Sequence, residues 1–484
     1  MRPDEYVEFD ALGLAHLVRD GEVTADELLD VALEQMVATD DAIAAVVEVQ
    51  EAVARRSIAS GPPAGSFTGV PFLLKDLGCE AIDFPSSMGS GLYRGYRYSY
   101  DSELFLRLRN AGLVTFGRTT CPEFGIGATT EAKVYGRATR NPWNTNHVAG
   151  GSSGGAGAAV AAGVVPAAHG SDGGGSVRIP ASSCGLFGVK PTRALLPDGP
   201  AAGEGWAGMA IDGFLTRSVR DNAALLDAVC GPDLGAPYYA PTLASSFLKA
   251  IESPPRRLRI AVSDRSFTGE AMHADCVAAV HHTAELCESL GHEVVEAHPP
   301  VNIESFMRAW ADIVACGTQL TVASRIADLG RASTDHDTDR VTRLACLMGA
   351  TVSGAEYLAA VEVVHAVGRV MARFLVPYDM LLSATLAEPP ALIGDLDPNR
   401  TDAWTDFIDY RLNYVLPYSP FTALANGTGQ PAMSVPLWWT ADGLPVGTHM
   451  MARAGDDLVM MQLAAQLEST VSGGFRRLPF RIGQ

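Results

Sequence analysis

Lysine is scarce in this chain of 484 residues, in which 32 of the 36 basic residues are arginine and only four are lysine. The net charge is −19, so the chain lacks the basic surface that nucleic acids and anionic membranes attract. The sequence therefore argues against both as partners and favours a soluble protein. The scarcity also makes each lysine worth examining, because a neutral lysine accepts a proton and an arginine does not.

Cysteine motifs are missing as well. The eight cysteines form no C-x-x-C, and none stands at zinc-ligand spacing from a histidine, so we expect reduced thiols and no metal site. The longest apolar run, around 156–168, is short and broken by Pro166, so it cannot span a bilayer. The polar residues 1–10 predict no signal peptide, and the cytoplasm is the expected compartment.

Strand and helix patterns alternate along the chain. Apolar runs at 70–74 and 113–117 indicate buried strands, whereas Thr24 and Glu27 form a capping box that predicts the start of an amphipathic helix. This alternation predicts an α/β fold, with a sheet covered by helices. Since no Pro/Ser-rich linker divides the chain, we expect one domain over residues 1–484, with a helical elaboration around 232–376.

One lysine stands at the end of a predicted strand. Lys75 follows the apolar residues 70–74 and precedes Asp76. Burial at such a position lowers the pKa of a lysine and leaves it able to act as a base. The alternative is a structural lysine paired with Asp76, and position alone favours that alternative.

The first of two glycine-rich clusters surrounds Ser152. Residues 150–154 satisfy the G-x-S-x-G pattern, which marks a nucleophilic serine when a strand precedes it and a helix follows. Residues 144–148 are mostly polar and do not predict a strand, which argues against Ser152 as a nucleophile of this kind. A phosphate-binding loop is also disfavoured, because no Lys-Ser/Thr pair follows the glycines.

The second cluster is Asp172-Gly-Gly-Gly-Ser176. Successive glycine amides can form a nest that holds an oxyanion beside a nucleophilic serine. The alternative is a glycine-rich turn with a capping serine. Three histidines could in principle activate a serine, but each lacks a recognisable carboxylate partner, which favours structural roles for His147, His169 and His449.

Taken together, these clusters resemble the amidase signature family over most of the chain. The segments that carry the resemblance are 69–76, 140–144, 150–155, 172–181, 185–192, 427–432 and 442–447. The resemblance implies an amide hydrolase built on a mixed, twisted β-sheet covered on both faces by α-helices. Residues 168–170 and 176–182 look most like bacterial amidases of the 6-aminohexanoate cyclic dimer hydrolase type.

The resemblance also implies roles for individual residues. The family's Ser–Ser–Lys triad falls on Ser176 as nucleophile, Ser152 as a bridging serine after a cis peptide bond, and Lys75 as neutral base. The remaining implied site residues are an oxyanion hole at the backbone amides of Gly173, Gly174, Gly175 and Ser176, and a substrate-facing loop at Gly125, Ile126 and Gly127. No metal or cofactor is implied; the expected partners are a small-molecule amide and a second copy of the chain in a homodimer.

Three positions depart from the family pattern. Ala194 stands where glycine is usual, and Ala384 where proline is common, which puts the shape of both loops in doubt. Ser419 replaces the aspartate of glutamine-using relatives. We therefore expect an amidase for a small to medium linear or cyclic carboxamide; the alternatives are a glutamine amidotransferase A-type subunit and a catalytically inactive binding protein. Trp206, Trp310 and Cys316 could line the pocket or simply pack in the core.

Overall fold

The computed structural model describes residues 1–475 and 478. Eleven strands form one mixed sheet in the order β1-β3-β2-β6-β8-β7-β12-β13-β11-β9-β10, and β4 and β5 form a separate pair. The strands are β1 (Val46–Val47), β2 (Pro71–Lys75), β3 (Val114–Thr119), β4 (Arg140–Asn141), β5 (Asn144–Val148), β6 (Ala167–Asp172), β7 (Phe187–Lys190), β8 (Ile211–Thr216), β9 (Arg259–Val262), β10 (Glu293–Glu296), β11 (Met380–Ala384), β12 (Ala432–Trp439) and β13 (Pro445–Ala452).

Helices flank this sheet, so the predicted α/β class with a mixed, helix-covered sheet is confirmed. They are α1 (Pro3–Tyr6), α2 (Ala11–Arg19), α3 (Ala25–Ile43), α4 (Glu51–Ala59), α5 (Glu103–Asn110), α6 (Gly154–Ala161), α7 (Arg178–Cys184), α8 (Val219–Val229), α9 (Phe247–Ala250), α10 (Ala274–Ser289), α11 (Ile303–Leu329), α12 (Arg340–Gly349), α13 (Gly354–Phe374), α14 (Phe407–Asp409), α15 (Leu416–Tyr418), α16 (Thr422–Thr428) and α17 (Asp457–Glu468). The predicted capping box at the start of α3 is present, with Thr24 and Glu27 bonded reciprocally.

Two neighbouring parallel strands set up the later chemistry. Every residue of β2 is buried, and β2 pairs in parallel with β6 through Leu73 and Ala168. Parallel neighbours end at the same edge of a sheet, which is where ligands bind in open α/β folds. The end of β2 delivers Lys75, and the end of β6 delivers Asp172 and the glycine-rich loop after it, so both reach one edge.

The helix after the first glycine cluster is buried on all sides. All eight residues of α6 are glycine, alanine or valine, and all are buried. Gly155 has to be glycine, because a Cβ there would lie 2.4 Å from the backbone nitrogen of Thr120. This close packing fixes the start of α6, and therefore Ser152, against the sheet.

Two expectations from the sequence are wrong in detail. The segment 232–376 is not wholly a helical elaboration, because its strands β9 and β10 belong to the main sheet. Its helices α11 to α13 build a second hydrophobic core around Phe306 and Trp310. Residues 144–148 do form a strand, β5, although their polar sequence suggests otherwise. This strand lies outside the main sheet, where it pairs with β4 in a small hairpin and bonds on its other side to residues 391–393, so it needs no apolar face.

In the described ranges, no single helix is long and apolar enough to cross a membrane. Only α12 and α13 together reach that length and composition, and they are bent by 108° at their junction.

The departure at Ala194 has a structural consequence. Ala194 adopts φ +63°, the left-handed region in which glycine is free of the strain that a Cβ causes. We expect Ala194→Gly to raise the free energy of unfolding by about 0.5–1 kcal/mol, since roughly 1–2 kcal/mol of strain is relieved and part is offset by glycine's greater entropy in the unfolded chain.

Urea unfolding of the variant measures this effect. The matched control is Ala359→Gly on the exposed face of α13, where φ is helical and glycine is expected to cost about 1 kcal/mol. Destabilisation by both changes would contradict the strain argument.

Candidate active site

Lys75 is fully buried and has no ion-pair partner among the described residues. Its Nζ lies 2.7 Å from Ser152 Oγ and 3.0 Å from Ser171 Oγ. The neighbouring Asp76 points elsewhere: its carboxylate accepts hydrogen bonds from Ser87 and from the Tyr135 hydroxyl. The interpretation of Lys75 as a lysine paired with Asp76 is therefore wrong.

Burial controls the protonation of this lysine. Loss of hydration lowers the pKa of Lys75 from 10.5 to about 8, against the opposing influence of Cys121, Asp212 and Asp172. A substantial fraction of the amine is therefore neutral near physiological pH, and a neutral amine can accept a proton from Ser152.

Ser152 lies between the β4–β5 hairpin and α6. The Gly151–Ser152 peptide bond is cis. A Cβ on Gly151 would lie 2.7 Å from the backbone nitrogen and oxygen of Thr129, so only glycine fits before Ser152. A strand and a helix do flank the G-x-S-x-G pattern. The strand, β5, lies outside the main sheet, however, so Ser152 does not follow a central strand as the nucleophile of that motif does.

Ser152 and Ser176 line one cavity of about 380 Å³, together with Ser171, Gly125, Gly173 and Trp206. The Ser176 hydroxyl is half-buried and makes no hydrogen bond to any residue that the structure describes. The backbone holds the two serine segments together, because the Ser153 N–H donates to the Ser176 carbonyl at 3.1 Å. The arrangement therefore places a lysine–serine hydrogen bond and a second, free serine hydroxyl on the same cavity.

The glycine loop is held by the buried pair Asp172–Arg178. The Asp172 carboxylate accepts from the N–H groups of Gly175 at 2.8 Å and Val177 at 3.0 Å, and from the Arg178 guanidinium at 2.8 Å. Although burial opposes ionisation, Arg178 and these donors hold the pKa of Asp172 well below its usual range. The loop is thus fixed around a permanent negative charge.

This network changes the expected oxyanion hole. The Gly175 N–H is already used by Asp172, so the inclusion of Gly175 among the free donors is wrong. The N–H groups of Gly173, Gly174 and Ser176 have no partner within residues 1–475. Both glycine carbonyls are bound instead, that of Gly173 by Trp310 Nε1 at 3.1 Å and that of Gly174 by Thr422 Oγ1 at 2.6 Å, which orients the free amides.

The predicted substrate loop runs beside Ser152. A Cβ on Gly125 would lie 3.3 Å from Ser152 Oγ, so the glycine keeps this side of the cavity open. Ile126 is buried in the second hydrophobic core, and Gly127 lines a narrower recess next to Ser176. Three residues are expected from the sequence either to line the pocket or to pack in the core. Trp206 lines both the main cavity and the recess, Trp310 lines only the recess, and Cys316 lines neither.

No histidine takes the place of a serine-activating base. His147 is bonded to the Pro390 carbonyl, and His449 to Arg178. His169 Nδ1 accepts from the Lys75 backbone N–H at 3.2 Å, so its Nε2 donates to Asp212 at 2.9 Å. Ser171 on β6 bonds to Lys75 Nζ, and Asp212 on β8 reaches Lys75 through His169; no local pattern in the sequence marks either residue.

Known proteins are similar to this chain along nearly its whole length. The Amidase family model matches residues 27–460. The chain is 37% identical to the 6-aminohexanoate-cyclic-dimer hydrolase of Paenarthrobacter ureafaciens over 480 residues, covering 97% of this chain and 96% of the relative. It is 36% identical to the enzyme of the same name from Pseudomonas sp. strain NK87 over 477 residues, with 97% and 96% covered.

Solved structures agree with these sequence matches. The structure of a 6-aminohexanoate cyclic dimer hydrolase complexed with substrate superposes with a TM-score of 0.90 at 33% identity, covering 98% of this chain and 99% of the other. A bacterial aryl acylamidase of the amidase signature family gives a TM-score of 0.86 at 25% identity, with 97% and 98% covered.

Proposed function

Given that this chain belongs to the amidase family and hydrolyses amide bonds, we propose that it does so through a seryl acyl-enzyme formed at Ser176, with Ser152 and Lys75 as the relay. One observation carries this proposal: a buried lysine of lowered pKa lies 2.7 Å from Ser152 Oγ, in a serine pair that shares one cavity.

The reaction then has two halves. Ser176 Oγ attacks the amide carbonyl carbon while its proton passes through the Ser152 hydroxyl to neutral Lys75. The C–N bond breaks as this proton moves back through Ser152 to the leaving amine, which departs neutral. Water next attacks the ester carbon on Ser176 and gives a proton to the same relay. The relay returns this proton to Ser176 Oγ as the C–O bond to the serine breaks, which releases the carboxylic acid and regenerates the site.

The developing negative charge needs donors that are already in place. The free N–H groups of Gly173, Gly174 and Ser176 form the proposed oxyanion hole, and the bonds to the two glycine carbonyls keep them oriented. Asp172 and Arg178 hold the loop without contacting the reacting atoms. Preorganised donors of this kind lower the barrier because no reorganisation is required during the reaction.

We propose a small to medium carboxamide, linear or cyclic, as the substrate. The cavity of about 380 Å³ accommodates a molecule of that size, and relatives of 37% and 36% identity are named for a cyclic dimer. The test is a hydrolysis screen over aliphatic, aromatic and cyclic amides, with acylation of Ser176 followed by mass spectrometry. Amide turnover with acylation of a different residue would contradict the proposed mechanism.

Activity is expected to rise with pH through the titration of Lys75. Because the pKa of Lys75 is about 8 and only its neutral form accepts a proton, kcat/KM should fall about tenfold per pH unit well below pH 8 and level off above it. A pH profile from 5.5 to 9.5 with an amide substrate measures this. A flat profile down to pH 5.5 would rule out Lys75 as the base.

All eight cysteines are free thiols. The cytoplasm as that compartment, a homodimer as the assembly and one domain over the whole chain stay predictions.

A further inference from the structure

Arg411 is a buried cation that makes no hydrogen bond or ion pair to any residue in the described part of the chain. It lies in the π-helical segment Tyr410–Val415 between α14 and α15, and its relative exposure is 6%. Its Nε is buried without a hydrogen bond, and its Nη atoms make none to the described residues. Its guanidinium lies over the ring of Trp310, with 4.2 Å between the guanidinium carbon and the ring centroid.

The other buried arginines show how unusual this is. Arg118 donates to the carbonyls of Phe84, Lys75, Gly78 and Cys79. Arg178 pairs with Asp172. A buried charge without hydrogen bonds is costly, and most buried polar groups have partners. The missing partner of Arg411 is therefore expected to come from outside the chain.

Arg411 lies on the same recess as the proposed nucleophile, Ser176. It lines the narrow recess, of about 20 Å³, together with Gly127, Gly174, Ser176, Trp310 and Ser419. This volume holds one water molecule or one small group. Because Ser176 also lines the main cavity, a substrate bound for attack can extend a short group into the recess.

The main cavity and the recess differ in the charged residues that line them. The main cavity is lined by three acidic residues, Glu80, Asp198 and Asp212, and by no described lysine or arginine; burial raises the pKa of Glu80, and that of Asp198 to about 7. Among the described residues, Arg411 is the only charged one that lines the recess. An anionic group on a substrate is therefore attracted to Arg411, whereas the wide end offers it no cation.

We propose that Arg411 binds a carboxylate of the substrate, so that the preferred substrates are amides that carry a carboxylate within reach of the scissile carbonyl. The planar guanidinium matches the two oxygens of a carboxylate, and the recess brings it to the side of Ser176. Burial lowers the pKa of Arg411 to about 10, and a bound anion would offset this cost. The inference deepens the function proposed for Ser176 and rests on it.

The first test measures binding without catalysis. In the Ser176→Ala protein, hexanoate at 20 mM is expected to raise the unfolding temperature, because it binds the folded state, while the isosteric neutral hexanamide is not. Adding Arg411→Met should abolish the hexanoate shift. The matched control is Arg325→Met, which removes a guanidinium stacked on Tyr93 and Tyr96 outside both cavities and should leave the shift unchanged.

Two outcomes would overturn the proposal: no shift with hexanoate, or an equal shift in the Arg411→Met protein. This readout does not depend on turnover. A wrong nucleophile would appear as activity retained by Ser176→Ala, while the hexanoate shift would still report on Arg411.

The second test identifies which side of the amide bears the carboxylate. The adipic acid mono-4-nitroanilide is compared with hexanoyl-4-nitroanilide for the acyl side, and hexanoylglycine with hexanoylglycinamide for the amine side. Arg411→Met should lower kcat/KM for one acidic substrate about tenfold or more, mainly through KM, and change its neutral partner less than about threefold. Arg411→Lys should recover part of the loss, and equal losses on acidic and neutral substrates would refute carboxylate recognition.

Discussion

Replacing Ser176 with alanine is expected to lower kcat/KM for amide hydrolysis by about five orders of magnitude, because no acyl-enzyme can form. The remaining donors at Gly173 and Gly174 should leave some acceleration over the uncatalysed reaction. The fold should be unaffected, since the Ser176 hydroxyl makes no hydrogen bond to the described residues and its loss leaves no buried group unpaired. Initial rates with an amide from the screen, together with a thermal melt, measure both effects.

Ser263→Ala is the matched control. Its hydroxyl is buried and hydrogen-bonded to the Arg265 carbonyl and to His298, away from the catalytic cavity. This variant should lose about 1 kcal/mol of stability and keep its activity. If Ser176→Ala kept more than about a hundredth of the wild-type rate, the nucleophile would have to be another residue, and Ser152→Ala would then show whether the first serine takes that role.

Much of this site was predictable because its parts are local in sequence. An apolar strand followed by Lys75, and a glycine run before Ser176, are patterns that a few residues define. Their meeting at one sheet edge follows once β2 and β6 are parallel neighbours. The resemblance to a family adds the pairing of Lys75 with Ser152, which the alternation of strands and helices alone does not give.

What could not be predicted depends on contacts between distant segments. Asp172 binds the Gly175 N–H only because the loop folds back over it, and this removes a donor that a linear glycine run seems to offer. Arg411 meets Trp310 and the recess although 101 positions separate the two residues. Strand β5 is stabilised by its pairing with β4. Its own residues are polar, so no apolar pattern in the sequence predicts a strand there.

Replacing Lys75 with methionine is expected to lower kcat/KM by about three to four orders of magnitude, because the Ser176 proton then has no acceptor beyond Ser152. Methionine fills nearly the same volume, so the buried site keeps its packing. Lys190 provides the matched control: it is also fully buried, burial lowers its pKa to about 7, and its amine binds only the Pro191 carbonyl. Lys190→Met should therefore keep its activity.

The same Lys75 variant is expected to be more stable than the wild type at pH 7. The pKa of Lys75 is about 8 in the folded state and 10.5 when hydrated, so below pH 8 both states carry the proton and burial of the charge costs roughly 3 kcal/mol. Methionine removes that cost and loses three hydrogen bonds: two of about 1 kcal/mol each to the hydroxyls of Ser152 and Ser171, and a weaker one at 3.4 Å to the Ser171 carbonyl. The net gain is therefore below about 1 kcal/mol.

The pH dependence of this gain separates the charge effect from packing. Between pH 8 and 10.5 the unfolded wild type binds the proton that the folded state has lost, so wild-type stability rises with pH and the variant's advantage disappears. Urea unfolding at pH 7 and pH 10 measures the difference. An advantage that did not change with pH would mean that the folded and unfolded states hold the proton equally well up to pH 10, so that burial does not lower the pKa of Lys75.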